Sequence, residues 1–180
     1  MELVLLQFNR ISKIIGNDDL ALLELVTDDG LKQLSVVCEG AMTRQFAIRL
    51  SDVPIRHKLL PEVLWTAFGK GKSDDIRIVF ASFLDGEYMA FLFDNVEGRQ
   101  WPVRASDAVL LSLVAGLPIY AHQKLIDTCS TPVDKSGKGV TLPVQLLPAD
   151  ILRKELDKAV LAEDYEKASL LRDELKKREQ

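Results

Sequence analysis

The stretch that most constrains this chain is residues 101–120, Trp101-Pro-Val-Arg-Ala-Ser-Asp-Ala-Val-Leu-Leu-Ser-Leu-Val-Ala-Gly-Leu-Pro-Ile-Tyr120. A short extended run ends at Val103, and a helix is expected from Ser106, whose hydroxyl suits the orphan amides of a first turn. Asp107 would sit at the positive end of the helix dipole. Ala108, Leu111, Leu113 and Val114 make the helix apolar on most sides, which predicts a central, buried element. Gly116 fits the left-handed residue after the last turn, and Pro118 forbids continuation. The spacing therefore gathers Arg104, Ser106 and Asp107 at one helix mouth, where backbone amides, a guanidinium and a carboxylate meet.

The segments before it alternate between two periods. Leu3–Ile11 and Leu20–Thr27 are apolar and β-branched, and Asp28-Asp-Gly30 reads as a hairpin turn into Leu31–Cys38. Three antiparallel strands follow from this. Ala41–Leu50 is expected to be helical, with Met42, Phe46 and Leu50 on one face. A second helix fits Pro61–Phe68, with proline in its first turn and Gly69 at its end. Asp85-Gly86 is a two-residue hairpin signal between Asp75–Leu84 and Glu87–Asp94. This order of elements predicts an α+β fold with a mostly antiparallel or mixed sheet and packed helices, rather than a wound parallel sheet.

Residues 128–148 change character. Ser136-Gly-Lys-Gly139, flanked by prolines and threonines, is linker chemistry. Beyond it, 149–180 reads as a helical hairpin with stripes Leu152, Leu156, Val160 and Ala168, Leu171, Leu175. Asp164 is placed to cap the second helix. The expected organisation is thus a domain over 1–127, a linker over 128–148 and a hairpin over 149–180.

Charge narrows the partners. Residues 1–133 hold 13 Lys/Arg and 17 Asp/Glu, so they carry the whole net charge of −4, while 151–180 hold 8 of each. No broad basic field captures nucleic acid non-specifically, so any such binding is local and weak. Cys38 and Cys129 lack metal-type spacing, which suits a reducing cytoplasm. The Met-Glu start lacks the basic region of a signal peptide, and the longest apolar run is too short to span a bilayer.

Arg104-Ala-Ser-Asp-Ala108, followed by Ala115-Gly-Leu-Pro-Ile-Tyr120, resembles the signature of the bifunctional nuclease (BFN) domain family. That signature usually reads Arg-Pro-Ser-Asp-Ala, an apolar helix, then Gly-x-Pro-Ile-Tyr; here Ala105 replaces the proline. The resemblance covers roughly the first two-thirds of the chain. It implies hydrolysis of phosphodiester bonds in DNA or RNA, with Arg104, Asp107, Ser106 and His57 as candidate catalytic residues. It leaves room for a divalent ion, Mg²⁺ or Mn²⁺, at Asp107 with Asp85 and Glu87. His57 in Arg56-His-Lys-Leu59 matches the family's Thr-His-Asp-Leu with the threonine and the acid lost. In Cys38-Glu-Gly-Ala-Met-Thr43, Met42 takes the place of a family glutamate, and Glu39 lies upstream.

Leu152-x3-Leu156-x2-Ala-Val160, with Glu163-Asp-Tyr-Glu-Lys-Ala168 and Leu171-Arg-Asp-Glu-Leu175, resembles the UVR motif of excinuclease subunits B and C. It implies docking of a protein partner or a second copy through Leu152, Leu156, Val160, Tyr165, Leu171 and Leu175, hence a homo-oligomer. Two short helices bury little alone.

Several signals have plain readings beside these. Arg104 and Asp107 also suit a structural helix start, and Ser106 reads first as a cap because no histidine is near it in sequence. Gly71-Lys-Ser73 is not a phosphate loop, since position 66 is threonine and a strand, not a helix, follows. Lys70, Lys72 and Arg77, with Arg56 and Lys58, form at most a small basic patch. The chain is therefore read as a nuclease or, alternatively, a non-catalytic adaptor that docks a partner through its hairpin.

Overall fold

The computed structural model describes residues 2–14, 17–51, 53–69, 75–133, 144 and 147–178. Lys70, Lys72 and the Gly71-Lys-Ser73 segment lie outside them, as does most of the expected linker. The chain forms two compact units, one of residues 1–82 and 88–140, the other of 83–87 and 141–180.

The first unit is built on a mixed sheet. Its strands are β1 Leu3–Ile14, β2 Asn17–Thr27, β3 Lys32–Glu39, β4 Ile76–Leu84, β5 Glu87–Asp94, β6 Gln100–Val103, β7 Ile119–His122 and β8 Thr131–Pro132, in the order β6-β5-β4-β7-β1-β2-β3-β8. The expected β1–β2–β3 meander is present, antiparallel throughout. Thr27 and Asp29 bind each other in its second turn, and Gly30 takes φ 70° there. β7 has no counterpart among the elements expected from sequence. It runs parallel to β4 and antiparallel to β1, joining the two halves of the sheet. That one parallel ladder makes the α+β sheet mixed.

β2 is buried on both faces, with Leu22, Leu23, Glu24 and Leu25 all sealed. A register shift between Phe8 and Arg10 sets Arg10, rather than its neighbour, opposite Glu24. Arg10 Nε lies 2.8 Å from Glu24 Oε2, and Ser12 Oγ donates to Oε1. Burying a carboxylate is costly unless it is paired and hydrogen-bonded, so the bulge is what makes Glu24 tolerable here.

The helices are α1 Gly40–Leu50, α2 Leu60–Leu64, α3 Ala105–Ala115 and α4 Gln123–Cys129. Phe46 of α1 is sealed and stacks on Phe8 with centroids 5.7 Å apart. Leu50, expected on that face, is exposed, and Arg49 is buried instead. Arg49 Nη2 donates to Glu62 Oε2 at 2.9 Å and Nη1 to Gln45 Oε1 at 2.9 Å. The buried pair ties α2 to α1, which the apolar period could not reveal. A single π turn, Trp65–Gly69, continues α2 where one longer α-helix was expected. Within residues 128–133, α4 ends at Cys129 and Thr131–Pro132 form β8, which pairs with β3 through Lys32↔Pro132 and Gln33↔Thr131.

The second unit contains α5 Ala149–Leu161 and α6 Tyr165–Arg178. Asp164 caps α6 as the sequence suggested, accepting the Lys167 amide at 3.1 Å. Glu155, nearly sealed, takes Lys158 at 3.0 Å and Lys167 at 3.3 Å and so links the two helices. The unit also holds the β4–β5 turn. Arg178 Nη1 donates to the carbonyls of Asp85 at 2.6 Å and Leu147 at 2.8 Å. Gly86, at φ 83°, meets the Leu147 carbonyl so closely that a Cβ has no room.

Burial raises the thiol of Cys38 to about 11 from 9.0, against the opposing hydrogen bonds of Thr43 and Ala21. Burial likewise raises the Tyr88 hydroxyl, with the nearby Cys129 adding to it. An unfolded chain loses the Cys38 proton near 9 while the native state keeps it to about 11. Stability from this thiol is therefore complete below pH 9 and falls as pH rises toward 11, by up to about 2 kcal/mol. The urea midpoint is expected to drop between pH 8 and pH 10.5, and Cys38→Ala should flatten part of that drop. An unchanged slope in the variant would assign the alkaline loss to other groups.

Candidate functional site

The helix mouth forms one residue earlier than the sequence suggested. Arg104 is the extended N-cap of α3, with φ −62° and ψ 139°, and no side chain caps the helix. The first helical bond runs from the Ala108 amide to the Arg104 carbonyl at 2.9 Å. Ser106 is thus the second residue of the helix and only 5% exposed, not its cap. The reason is local: Ala105, where the family has proline, is itself a competent first helical residue. At the other end Gly116 is left-handed at φ 68°, as expected.

Arg104 and Asp107 share the mouth. Arg104 Nε lies 3.9 Å from Asp107 Oδ2, with the side chains 75% and 44% exposed. A pair this open is worth at most about 1 kcal/mol, so the guanidinium remains available to an anion. The first-turn amides have no intrahelical acceptor. One exposed cation and one part-exposed carboxylate therefore lie at a helix start whose first amides have no intrahelical acceptor. The burial of Ser106 weighs against a role as attacking nucleophile.

The other candidates lie elsewhere. His57 is exposed in a short 3-10 turn, Pro54–Lys58, and its side chain makes no hydrogen bond among the described residues. Asp85 lies in the β4–β5 turn, and Glu87 is the first residue of β5. Among the described residues, no three His, Cys, Asp or Glu side chains converge in a way that could hold a metal ion. Glu39 is the N-cap of α1, and Met42 is half-buried.

In the hairpin, Leu152 and Leu171 are sealed within the fold, while Leu156 and Leu175 are half-buried. Val160 and Tyr165 are the exposed members of the expected set, and Leu161 and Leu170, which the stripes omitted, are exposed as well.

Sequence reasoning missed an open cavity of about 540 Å³ lined by α2, the π turn, β5, β6 and α3, with Trp65, Phe68, Leu92, Asp94, Trp101 and Leu111 in its wall. The signal available was slight: both tryptophans of the chain are here.

An α+β domain with an exposed cation–carboxylate pair at an uncapped helix start, followed by a helical pair, is the class that fold and site define. The bifunctional nuclease domain model matches residues 23–134, more than half of the chain. The chain belongs to the bifunctional nuclease domain family. A UvrB/uvrC motif matches residues 152–180. Comparison with curated proteins gives no match.

Proposed function

We propose that this chain is a nuclease hydrolysing phosphodiester bonds of DNA, RNA or both. The observation that carries the reading is the exposed Arg104–Asp107 pair at the uncapped start of α3, within the family's matched region. In this reading a phosphate sits at the helix mouth, where free amides and the dipole favour an anion. Asp107 orients a water and accepts its proton as the oxygen attacks phosphorus. Arg104 and the amides stabilise the charge that builds on the non-bridging oxygens. The departing oxygen takes its proton from solvent, which reaches this open mouth.

The test is cleavage of labelled single-stranded DNA, single-stranded RNA and duplex DNA by purified full-length protein, in EDTA, Mg²⁺ and Mn²⁺ in turn. Cleavage of at least one substrate is the expected result, and inertness toward all three in every buffer would contradict it. The net charge of −4 over residues 1–133 also predicts weak duplex binding that falls steeply with salt, because only a few phosphates are neutralised. Tight binding that survives high salt would contradict this and require an extended contact surface with a large non-electrostatic share.

A second reading has its own observation. Val160, Leu161, Tyr165 and Leu170 are exposed on the helical pair, and large apolar side chains left wet favour association. On this reading the hairpin docks a protein partner or a second copy, and the BFN domain serves as a scaffold. No helix among the described residues is long and apolar enough to cross a membrane, and we place the protein in the cytoplasm on the strength of its cysteine usage.

A further inference from the structure

The cavity beside α3 is a built concavity that the proposed chemistry leaves unused. Its wall is mostly apolar, but three features point to a particular ligand. First, it carries Trp65, Phe68 and Trp101, and the ring pairs in the described fold are Phe8 with Phe46 and Phe80 with Tyr88. The faces of Trp65 and Phe68 are thus not spent on other rings, and Trp101 has the Arg99 guanidinium 5.9 Å from its centroid. Phe68 is 77% exposed, an unusual position for a phenyl ring with no partner.

Second, Asp94 in the same wall is only 8% exposed. Its Oδ1 accepts the Val96 amide at 2.8 Å and the Glu97 amide at 2.9 Å, closing the loop before β6. Its Oδ2 has no hydrogen bond among the described residues. Asp94 Oδ2 is not among the sealed, unpartnered side-chain atoms of the described residues, and Asp94 lines the cavity. Third, Glu97 at the rim is paired with Arg99. Asp94 thus offers the wall an acceptor held by a rigid turn.

Free aromatic faces with one fixed acceptor fit a flat, apolar-faced ring that presents N–H groups at its edge. We propose that the cavity receives an unpaired nucleobase and prefers guanine, whose N1–H and N2–H donors lie side by side. The volume of about 540 Å³ lies within the range of small-ligand sites, about 300–1,000 Å³. A base in duplex is stacked and paired, so only single-stranded or flipped nucleotides can enter. Trp101 and Leu111 flank the mouth residues in sequence, so base and phosphate are served by one stretch of chain. The inference rests on the nuclease reading for its biological sense, but its test does not need cleavage.

Binding is measured in EDTA by fluorescence anisotropy of labelled octathymidylate, the same octamer with one central guanosine, and its duplex form. The guanosine octamer is expected to bind about tenfold tighter than octathymidylate and to quench tryptophan fluorescence, with the duplex weaker than either. Phe68→Ala, a change at an exposed ring, should weaken binding roughly tenfold, the usual loss of one stacking partner. Asp94→Asn is the sharper variant. The amide oxygen can still accept the two turn amides, while its NH₂ replaces the free acceptor with a donor. The variant should therefore stay folded by circular dichroism and lose or reverse the guanine preference. Retained preference in Asp94→Asn, equal binding of duplex, or absence of binding would each overturn the proposal. So would saturation of the cavity by tetramethylammonium with no oligonucleotide bound, which would mark it as a cation cage. A protein that binds as described but never cuts sinks the nuclease reading and leaves this one; one that cuts without base preference does the reverse.

Discussion

Arg104→Ala is expected to lower phosphodiester turnover by roughly two orders of magnitude, the loss typical of one charge-stabilising donor. Its melting temperature should hardly move. The two halves of that expectation come from the same geometry. The side chain is 75% exposed and only loosely paired to Asp107 at 3.9 Å, so the folded state gains little from it. On the nuclease reading, a transition state that gathers negative charge on phosphate oxygens gains much more, because a guanidinium binds such oxygens through charge-assisted hydrogen bonds. Arg104→Lys should recover part of the rate, since charge is kept while the planar fork is lost. A variant that melts early yet cuts normally per folded molecule would make Arg104 a structural residue.

Glu24→Ala is expected to produce the largest loss of stability among single polar substitutions. The residue is fully buried at the centre of β2, with Arg10 Nε 2.8 Å from one carboxylate oxygen and Ser12 donating to the other. Alanine removes the shared acceptor of both groups and leaves a cavity. Breaking a buried pair in this way costs about 3–5 kcal/mol, which for a chain of this size lowers the melting temperature by about 10 °C. Replacement by a leucine, which fills the volume, should cost less if burial of charge is the main burden. Urea denaturation of the two variants and of Arg10→Ala checks this, and a loss below about 1 kcal/mol for Glu24→Ala would show the network to be incidental.

Both residues also mark where sequence is informative. The β1–β2–β3 meander, the Asp85-Gly86 turn, the Gly116 stop and the Asp164 cap were legible because each depends on neighbours within a few residues. Glu24 was not, because its tolerance depends on a bulge in another strand. Arg49 was not, since its partner Glu62 lies on a separate helix and the apolar period pointed to Leu50 instead. β7 escaped because four residues paired to β4 and β1 leave almost no period of their own. At the mouth, the residues Arg104, Ser106 and Asp107 were found together, but the start of α3 fell at Ala105, which moved Ser106 from the cap into the fold. The cavity was invisible for a different reason: its wall is assembled from several elements, each contributing only a few residues.

The most direct measurement is nuclease activity of wild type and Asp107→Ala, purified identically and assayed with and without Mg²⁺ or Mn²⁺. The account predicts that wild type cuts and that Asp107→Ala, with unchanged circular dichroism and melting, loses at least about a hundredfold in rate. Equal cutting by both proteins would remove the α3 mouth from the chemistry. No cutting by either, with a partner or second copy retained through Val160, Leu161, Tyr165 and Leu170, would make the chain an adaptor.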